Sequence, residues 1–187
     1  MNERKGIDAI GNYRRFLQGD NAALEALVCE YSDALVRFAY CYVKNSATAE
    51  DIMEDAFAAL IVKRRQFSDA ENFRAYLYKI VRNKCIDHLR FRKKHLPISD
   101  LENVLCGAET EKDVVRRARN RTIYRCMQQL PSQYEEVLYL AYFEDCGVDE
   151  ICKIVKRSKK QVYNLLTRAR LTLKELLKKE GISYEDV

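Results

Sequence analysis

The sequence predicts an all-α chain of two small helical domains joined by a flexible acidic linker, and three observations carry that prediction. Glycine and proline are scarce, 6 and 2 of 187 residues, which leaves little of the turn chemistry a sheet needs. Apolar residues recur at steps of three and four along most of the chain, the period of a helix buried on one face. Ser, Thr, Asp or Asn stands just before these runs, often with a Gln or acidic residue three positions later, the signature of a capped helix start. Hydrophobic residues make up 48% of the chain, enough for packed cores. No apolar run approaches the length of a membrane span, and no N-terminal segment resembles a secretion signal.

The elements follow in order. Asp20 or Asn21 can cap a helix with Leu24, Leu27, Val28, Tyr31, Leu35, Phe38, Ala39 and Tyr42 inward, and Lys44-Asn45-Ser46 breaks it. Thr48 with Asp51 reads as a capping box for the next helix, with Ile52, Ala56, Phe57, Leu60 and Ile61 as its buried face. Glu50, Asp51, Glu54 and Asp55 crowd its first turns, where negative charge complements the helix dipole. Phe67–Asn72 is a short polar loop. A third long helix turns Phe73, Leu77, Ile80, Val81 and Leu89 inward and Lys79, Arg82, Asn83, Ile86, Asp87 and Arg90 outward, stopping before Pro97.

Residues 96–119 have little periodic apolarity and an acidic bias, so they are expected to link a domain at 8–95 to one at 120–187. The acidic run has the sign needed to fold back on a basic block. Ile123, Met127 and Leu130 pattern a helix ended by Pro131. Ser132 with Glu135 gives another capping box, before a helix carrying Val137, Leu138 and Ala141. Gly147 precedes a short helix, Asp149–Val155, and the bend Lys156-Arg157 leads into the stretch from Ser158 to Lys174. Ser158 and Gln161 form a capping box there. Val162, Leu166, Ala169 and Leu173 share one face, with Lys160, Tyr163, Asn164, Thr167 and Arg168 opposite. Short helix, tight turn, capped longer helix: this is a helix-turn-helix layout. Gly181 ends the last helix, and Ile182–Val187 is expected to fray.

The net charge of +5 is concentrated. Arg82, Lys84, Arg90, Arg92, Lys93 and Lys94 stand against Asp87 alone, and the stretch from Lys153 to Lys179 is almost purely cationic, with Glu175 as its one acid. A solvated face explains either block singly; two separated blocks suggest two contacts with one polyanion. The 7 cysteines, odd in number and without a C-x-x-C pair, read as reduced cytoplasmic thiols. The two histidines, His88 and His95, lie beside basic residues rather than near cysteine, so neither a metal nor a cofactor is expected. No Gly-rich phosphate loop exists, and the carboxylates at 50–55 have no His or Cys at ligand spacing, so no enzyme chemistry is expected.

Two stretches, ATAEDIMEDAFAALIVKRRQF (47–67) and FRAYLYKIVRNKCIDHLRFRKK (73–94), closely resemble domain two of bacterial RNA polymerase sigma factors, in the small extracytoplasmic-function (ECF) group. LPSQYEEVLYLAYFEDCGVDEICKIVKRSKKQVYNLLTRAR (130–170) resembles domain four of the same family. The resemblance implies a sigma domain two helical bundle, a helix-turn-helix domain four, and promoter-specific transcription initiation with core RNA polymerase. It implies docking on the β′ clamp helices through Asp51, Glu54 and Asp55, and contact with the β subunit. At the −10 element it implies a base-trapping loop at Phe67–Asn72, with Asn72 as hydrogen-bonding partner and Lys79, Arg82, Asn83, Arg90, Arg92 and Lys93 as a cationic track. At the −35 element it implies the helix of Ser158–Arg170 in the major groove. Asn164 has the geometry to read adenine and Arg168 guanine; Lys159, Lys160 and Arg170 suit phosphates, and Tyr163 and Thr167 share the same face. An anti-sigma factor, membrane-anchored for many family members, is the further partner implied; no small-molecule substrate is.

Some positions depart from the family pattern. Tyr76 and Ile61 stand where Trp is common, Lys156 where Gly is frequent in the turn, and Gly147 where a capping Ser is frequent. Tyr163 and Leu165 occupy recognition-helix positions that are often basic, so the base preference is expected to differ from that of relatives. The competing reading is an autonomous helix-turn-helix regulator, which explains 130–177 and leaves 47–94 unexplained.

Overall fold

A computed structural model describes residues 2–95 and 122–181, with side chains from residue 9 to 92 in the first segment. The 96–119 linker, Cys106, the Ile182–Val187 tail and the side chain of Lys93 lie outside the described residues.

Every element among the described residues is a helix. The first segment holds α1 (Asn2–Leu17), α2 (Asn21–Val43), α3 (Ser46–Lys63) and α4 (Ala70–His95). The second holds α5 (residues 122–128), α6 (Ser132–Tyr142), α7 (Val148–Val155) and α8 (Lys159–Lys179). In the first bundle α2 and α4 pack on each other and each touches both α1 and α3; in the second, α6, α7 and α8 pack pairwise.

Helix ends follow local chemistry. Asp20 caps α2 by accepting from the Ala23 amide. Gly19 takes a left-handed φ of 104° between α1 and that cap, a conformation a side chain would oppose. The cap of α3 is Asn45, whose carbonyl oxygen accepts from Thr48 N at 2.9 Å. The expected Thr48–Asp51 box is therefore displaced by one helical turn: both residues are cap-competent types, and the earlier one sits where α2 ends in left-handed Lys44. As a result the 50–55 carboxylates begin in the second turn of α3, beyond the strongest reach of the dipole. The helix α4 starts at Ala70, so Asn72 belongs to its first turn and the loop is shorter than expected.

Phe38, Leu27, Leu35 and Leu77 are fully buried, as their spacing predicts, but Ile61 is exposed rather than inward. Helix α1, which is not among the elements expected from spacing, buries Ala9, Ile10, Tyr13 and Phe16. The two segments are not separate bodies. One apolar cluster runs from Tyr13 and Phe38 through to Leu138, Ile151 and Val162, because α6 packs on α2 and α7 on α4. Phe38 stands at the junction, its ring 5.1 Å from that of Tyr78 and 5.9 Å from that of Tyr139.

Candidate nucleic-acid and polymerase interfaces

The helix α8 is built as its sequence dictates. The Ser158 hydroxyl accepts from Gln161 N at 3.4 Å, and the Gln161 side chain accepts from Ser158 N at 2.9 Å, completing the capping box. Val162, Leu166 and Ala169 are buried against α6 and α7, which forces Lys160, Tyr163, Asn164, Thr167 and Arg168 into solvent. Thr167 donates to Tyr163 O at 2.9 Å, so its hydroxyl proton is already engaged. Two other expected DNA contacts are engaged internally. Lys159 pairs with Asp149 at 2.7 Å, and the Arg170 guanidinium lies 5.5 Å from the Tyr142 ring centre. Asn164 and Arg168 line a shallow pocket of about 200 Å³ with Gln133, Arg157, Gln161 and Leu165. Gln133 and Arg157 are additions. Arg157 carries a signal in the basic bend, whereas Gln133 reaches the site from α6 and no spacing rule points to it.

The turn before α8 depends on Lys156, whose φ of 55° and ψ of 50° are left-handed, with its amide bonded to Cys152 O. A side chain in this conformation is strained by about 1 kcal/mol or more. Lys156→Gly is expected to stabilise the protein by about 0.5–1 kcal/mol, after the greater freedom of glycine in the unfolded chain is deducted, measured by urea denaturation.

The acidic face of α3 is open. Asp51 and Glu54 are exposed, while Asp55 pairs with Lys84 of α4 at 2.8 Å. Asp51 and Asp55 border a cleft of about 370 Å³ completed by Thr48, Ile52, Lys84, Asp87 and His88. Ile61 and Val62, the latter 81% exposed, continue this helix with apolar surface.

The expected −10 track divides. Arg90 and Arg92 are exposed at the C-terminal end of α4, Arg90 within 3.6 Å of Asp87, and Lys79 and Asn83 are half-buried. Near its N-terminus the helix is covered. Asn72 donates from Nδ2 to Asp69 at 2.7 Å and to Ser68 at 3.3 Å, and its Oδ1 accepts from Lys153 of α7 at 3.0 Å. Every function of this amide is thus satisfied internally. Asp69 also accepts from the Ser68 hydroxyl, which holds its carboxyl below the usual range. Arg14 of α1 donates to Ser68 O at 3.1 Å and fastens the loop from behind.

Arg82 is covered too, and with it two further cations. Its Nε donates to Glu136 at 2.5 Å; Arg74 donates from Nε to Glu150 at 2.6 Å and forms a second bond to the same carboxylate; Lys44 meets Glu135 at 2.5 Å. All three glutamates are almost fully buried, and all three belong to the second segment facing cations of the first. The expected Ser132–Glu135 box is accordingly absent: the N-cap of α6 is Pro131, which offers no side-chain cap, and Glu135 is turned towards Lys44 instead.

Burial pushes the Glu135 carboxyl up to about 7 against the pull of Lys44, the C-cap of α2, and of the Cys41 thiol on that helix. Its pKa is therefore higher with the segments packed than in water, so packing takes up a proton between about pH 4.5 and 7. The contact is expected to be tightest below that window and to weaken as pH rises through it, by about 3 kcal/mol in all. Hydrogen exchange in α6 at pH 5 and pH 8 reads this directly, and Glu135→Gln should reduce the pH dependence, leaving the part owed to Glu136, whose carboxyl burial also raises.

Residues 27–95 match the family description Sigma-70 region 2, and residues 120–173 match Sigma-70, region 4. The RNA polymerase sigma factor SigV of Bacillus subtilis is 26% identical over 166 residues, covering 89% of this chain and 98% of that protein. The ECF RNA polymerase sigma factor SigM of the same organism is 28% identical over 159 residues, covering 83% and 94%. Among solved structures, CnrH in complex with the cytosolic domain of CnrY aligns with a TM-score of 0.66 at 22% identity, covering 92% of this chain and 98% of that one. The sigma factor RpoE of Bartonella quintana, solved with the anti-sigma factor NepR, has the same score at 20% identity, covering 82% and 96%. At that identity both likenesses speak to the fold. Region 2 before region 4, each on the helices described above, makes this chain a member of the ECF group of the sigma-70 family of RNA polymerase sigma factors.

Proposed function

We propose that this protein binds core RNA polymerase and directs it to a dedicated promoter set, reading the −35 element with α8 and the −10 element with the loop before α4 and that helix's outer face. The observation that carries this reading is the exposed row Lys160, Tyr163, Asn164, Thr167 and Arg168 on a capped helix that follows a left-handed turn. Such a row presents hydrogen-bonding and planar cationic groups at the spacing of base edges in the major groove. Phosphates take Lys160 directly, while Lys159 and Arg170 exchange Asp149 and Tyr142 for DNA.

Core docking falls to Asp51, Glu54 and Asp55 with the cleft beside them, and the apolar tip Ile61–Val62 adds area to the same contact. The sigma-factor family is not an enzyme class, and in this reading the chain performs no bond chemistry, the polymerase making the RNA. The domains of this reading are 8–95 and 120–187, joined by 96–119, and the compartment is the cytoplasm. Because two solved proteins of the same fold, CnrH and the sigma factor RpoE, were captured with CnrY and with the anti-sigma factor NepR, an anti-sigma partner is proposed here as well.

The test mixes purified protein with sigma-free core polymerase and transcribes genomic fragments. New start sites are expected; absence of a complex with core would overturn the reading, and tight DNA binding without polymerase would favour an autonomous regulator. Arg168→Ala should lower promoter-specific transcription by about 1–3 kcal/mol of discrimination, roughly 5- to 150-fold, with core affinity unchanged. Replacing Asp51, Glu54 and Asp55 together by alanine should instead weaken core binding, read by co-elution with core.

A further inference from the structure

Three glutamates of the second segment are buried, and a carboxylate in that position is a costly desolvated charge unless a cation meets it. The cations that hydrogen-bond them are all on the first segment. Glu150 accepts from two nitrogens of the Arg74 guanidinium, and Glu136 accepts from Arg82. A carboxylate accepting two parallel N–H bonds from arginine occupies the position and supplies the charge that a phosphate would. Arg74 and Arg82 stand roughly two turns apart on α4, on the helix already assigned to the −10 element. Lys153 closes the same face by taking the amide oxygen of Asn72 and pairing with Glu71 at 2.8 Å.

We propose that Arg74 belongs with Arg82 to a phosphate-binding surface for single-stranded promoter DNA, and that Glu150 and Glu136 occupy it as internal phosphate mimics when the two segments are packed. The packed chain is thus closed to −10 DNA, and DNA and the second segment compete for α4. This rests on the sigma-factor reading above and adds to it a residue, Arg74, and a competitor. The competition is balanced by construction: desolvating an ion pair offsets much of its attraction, so the contact is specific without being tight.

The experiment titrates the full-length chain with a fluorescent oligo(dT) 12-mer at low salt, following anisotropy. Glu136→Gln/Glu150→Gln is expected to bind at least tenfold more tightly than the unaltered chain, and adding Arg74→Ala to that variant should remove the gain. Equal affinity for the unaltered chain and the double variant, with matching helical circular dichroism, overturns the proposal, as does a gain that survives Arg74→Ala. If the double variant folds poorly, hydrogen exchange of the unaltered chain decides: saturating oligo(dT) should deprotect α6 and α7, and binding that leaves both protected overturns the proposal. Transcription with core polymerase run on the unaltered chain keeps the two readings apart. Activity there, with no change in the oligonucleotide arms, sinks the competition and leaves the sigma-factor reading standing.

Discussion

Phe38→Ala is expected to destabilise the protein by about 3–5 kcal/mol, the range for removing a large buried aromatic from a core that cannot collapse around the void. Phe38 has no exposed surface, and its ring meets Tyr42 at 5.7 Å and Tyr78 at 5.1 Å within the first bundle, and Tyr139 at 5.9 Å across the junction. The void would therefore open where α2, α4 and α6 converge, and both segments should lose stability together. Urea denaturation followed at once by circular dichroism and tyrosine fluorescence reads this. A lowered midpoint, with the two probes still coincident, is the expected result. A loss below about 1 kcal/mol would mean that the junction is not packed as described.

Arg74→Ala is expected to invert the balance between packed and separated segments. Removing one partner of a buried pair leaves the other as an uncompensated charge, at a cost of about 3–5 kcal/mol. Glu150 is 2% exposed, so the packed form would carry that full penalty. The chain has a way out that a single-domain core lacks: separating the segments returns Glu150 to water. The population should accordingly shift to the separated form by a factor of 100 or more, while global stability falls only by the margin that had favoured packing. Loss of hydrogen-exchange protection in α7, with α2 still protected, is the diagnostic pattern. Replacing both partners by apolar residues, Arg74→Met with Glu150→Leu, should restore packing, since it removes the buried charges altogether.

These results also mark what can be read from the chain alone. The α8 segment was legible because everything that forms it is local: Ser158, Gln161 and the spacing of Val162, Leu166 and Ala169 lie within a few turns. At Lys156 only the resemblance, in which Gly is frequent at that turn, hinted at the left-handed backbone that the structure shows. The misreadings share the opposite cause. Glu135 stands three residues after Ser132 and has the form of a capping box, but its carboxylate is claimed by Lys44, distant in sequence. Asn45 and Thr48 are equally good caps in isolation, and the end of α2 decides between them. Ile61 fits the buried stripe of α3, yet it is 36% exposed while its neighbour Leu60 takes the buried position. Of the expected site residues, the α8 row emerged on one open face, whereas Asn72 and Arg82 proved to be occupied by partners that no periodicity announces.

The order in which the core is completed has a consequence during synthesis. Helices α1 to α4 leave the ribosome first, and the carboxylates that cover Arg82 and Arg74 follow 54 and 76 residues behind. At about 5–20 residues per second, the nascent N-terminal bundle is without its cover for several seconds to about fifteen. In that interval its cationic helix is bare beside the most abundant polyanion within reach, ribosomal RNA. Translation that pauses before α6 would lengthen this exposure, and translation that runs straight through would close it. The tempo of synthesis thus joins pH and DNA among the influences on when α4 is free.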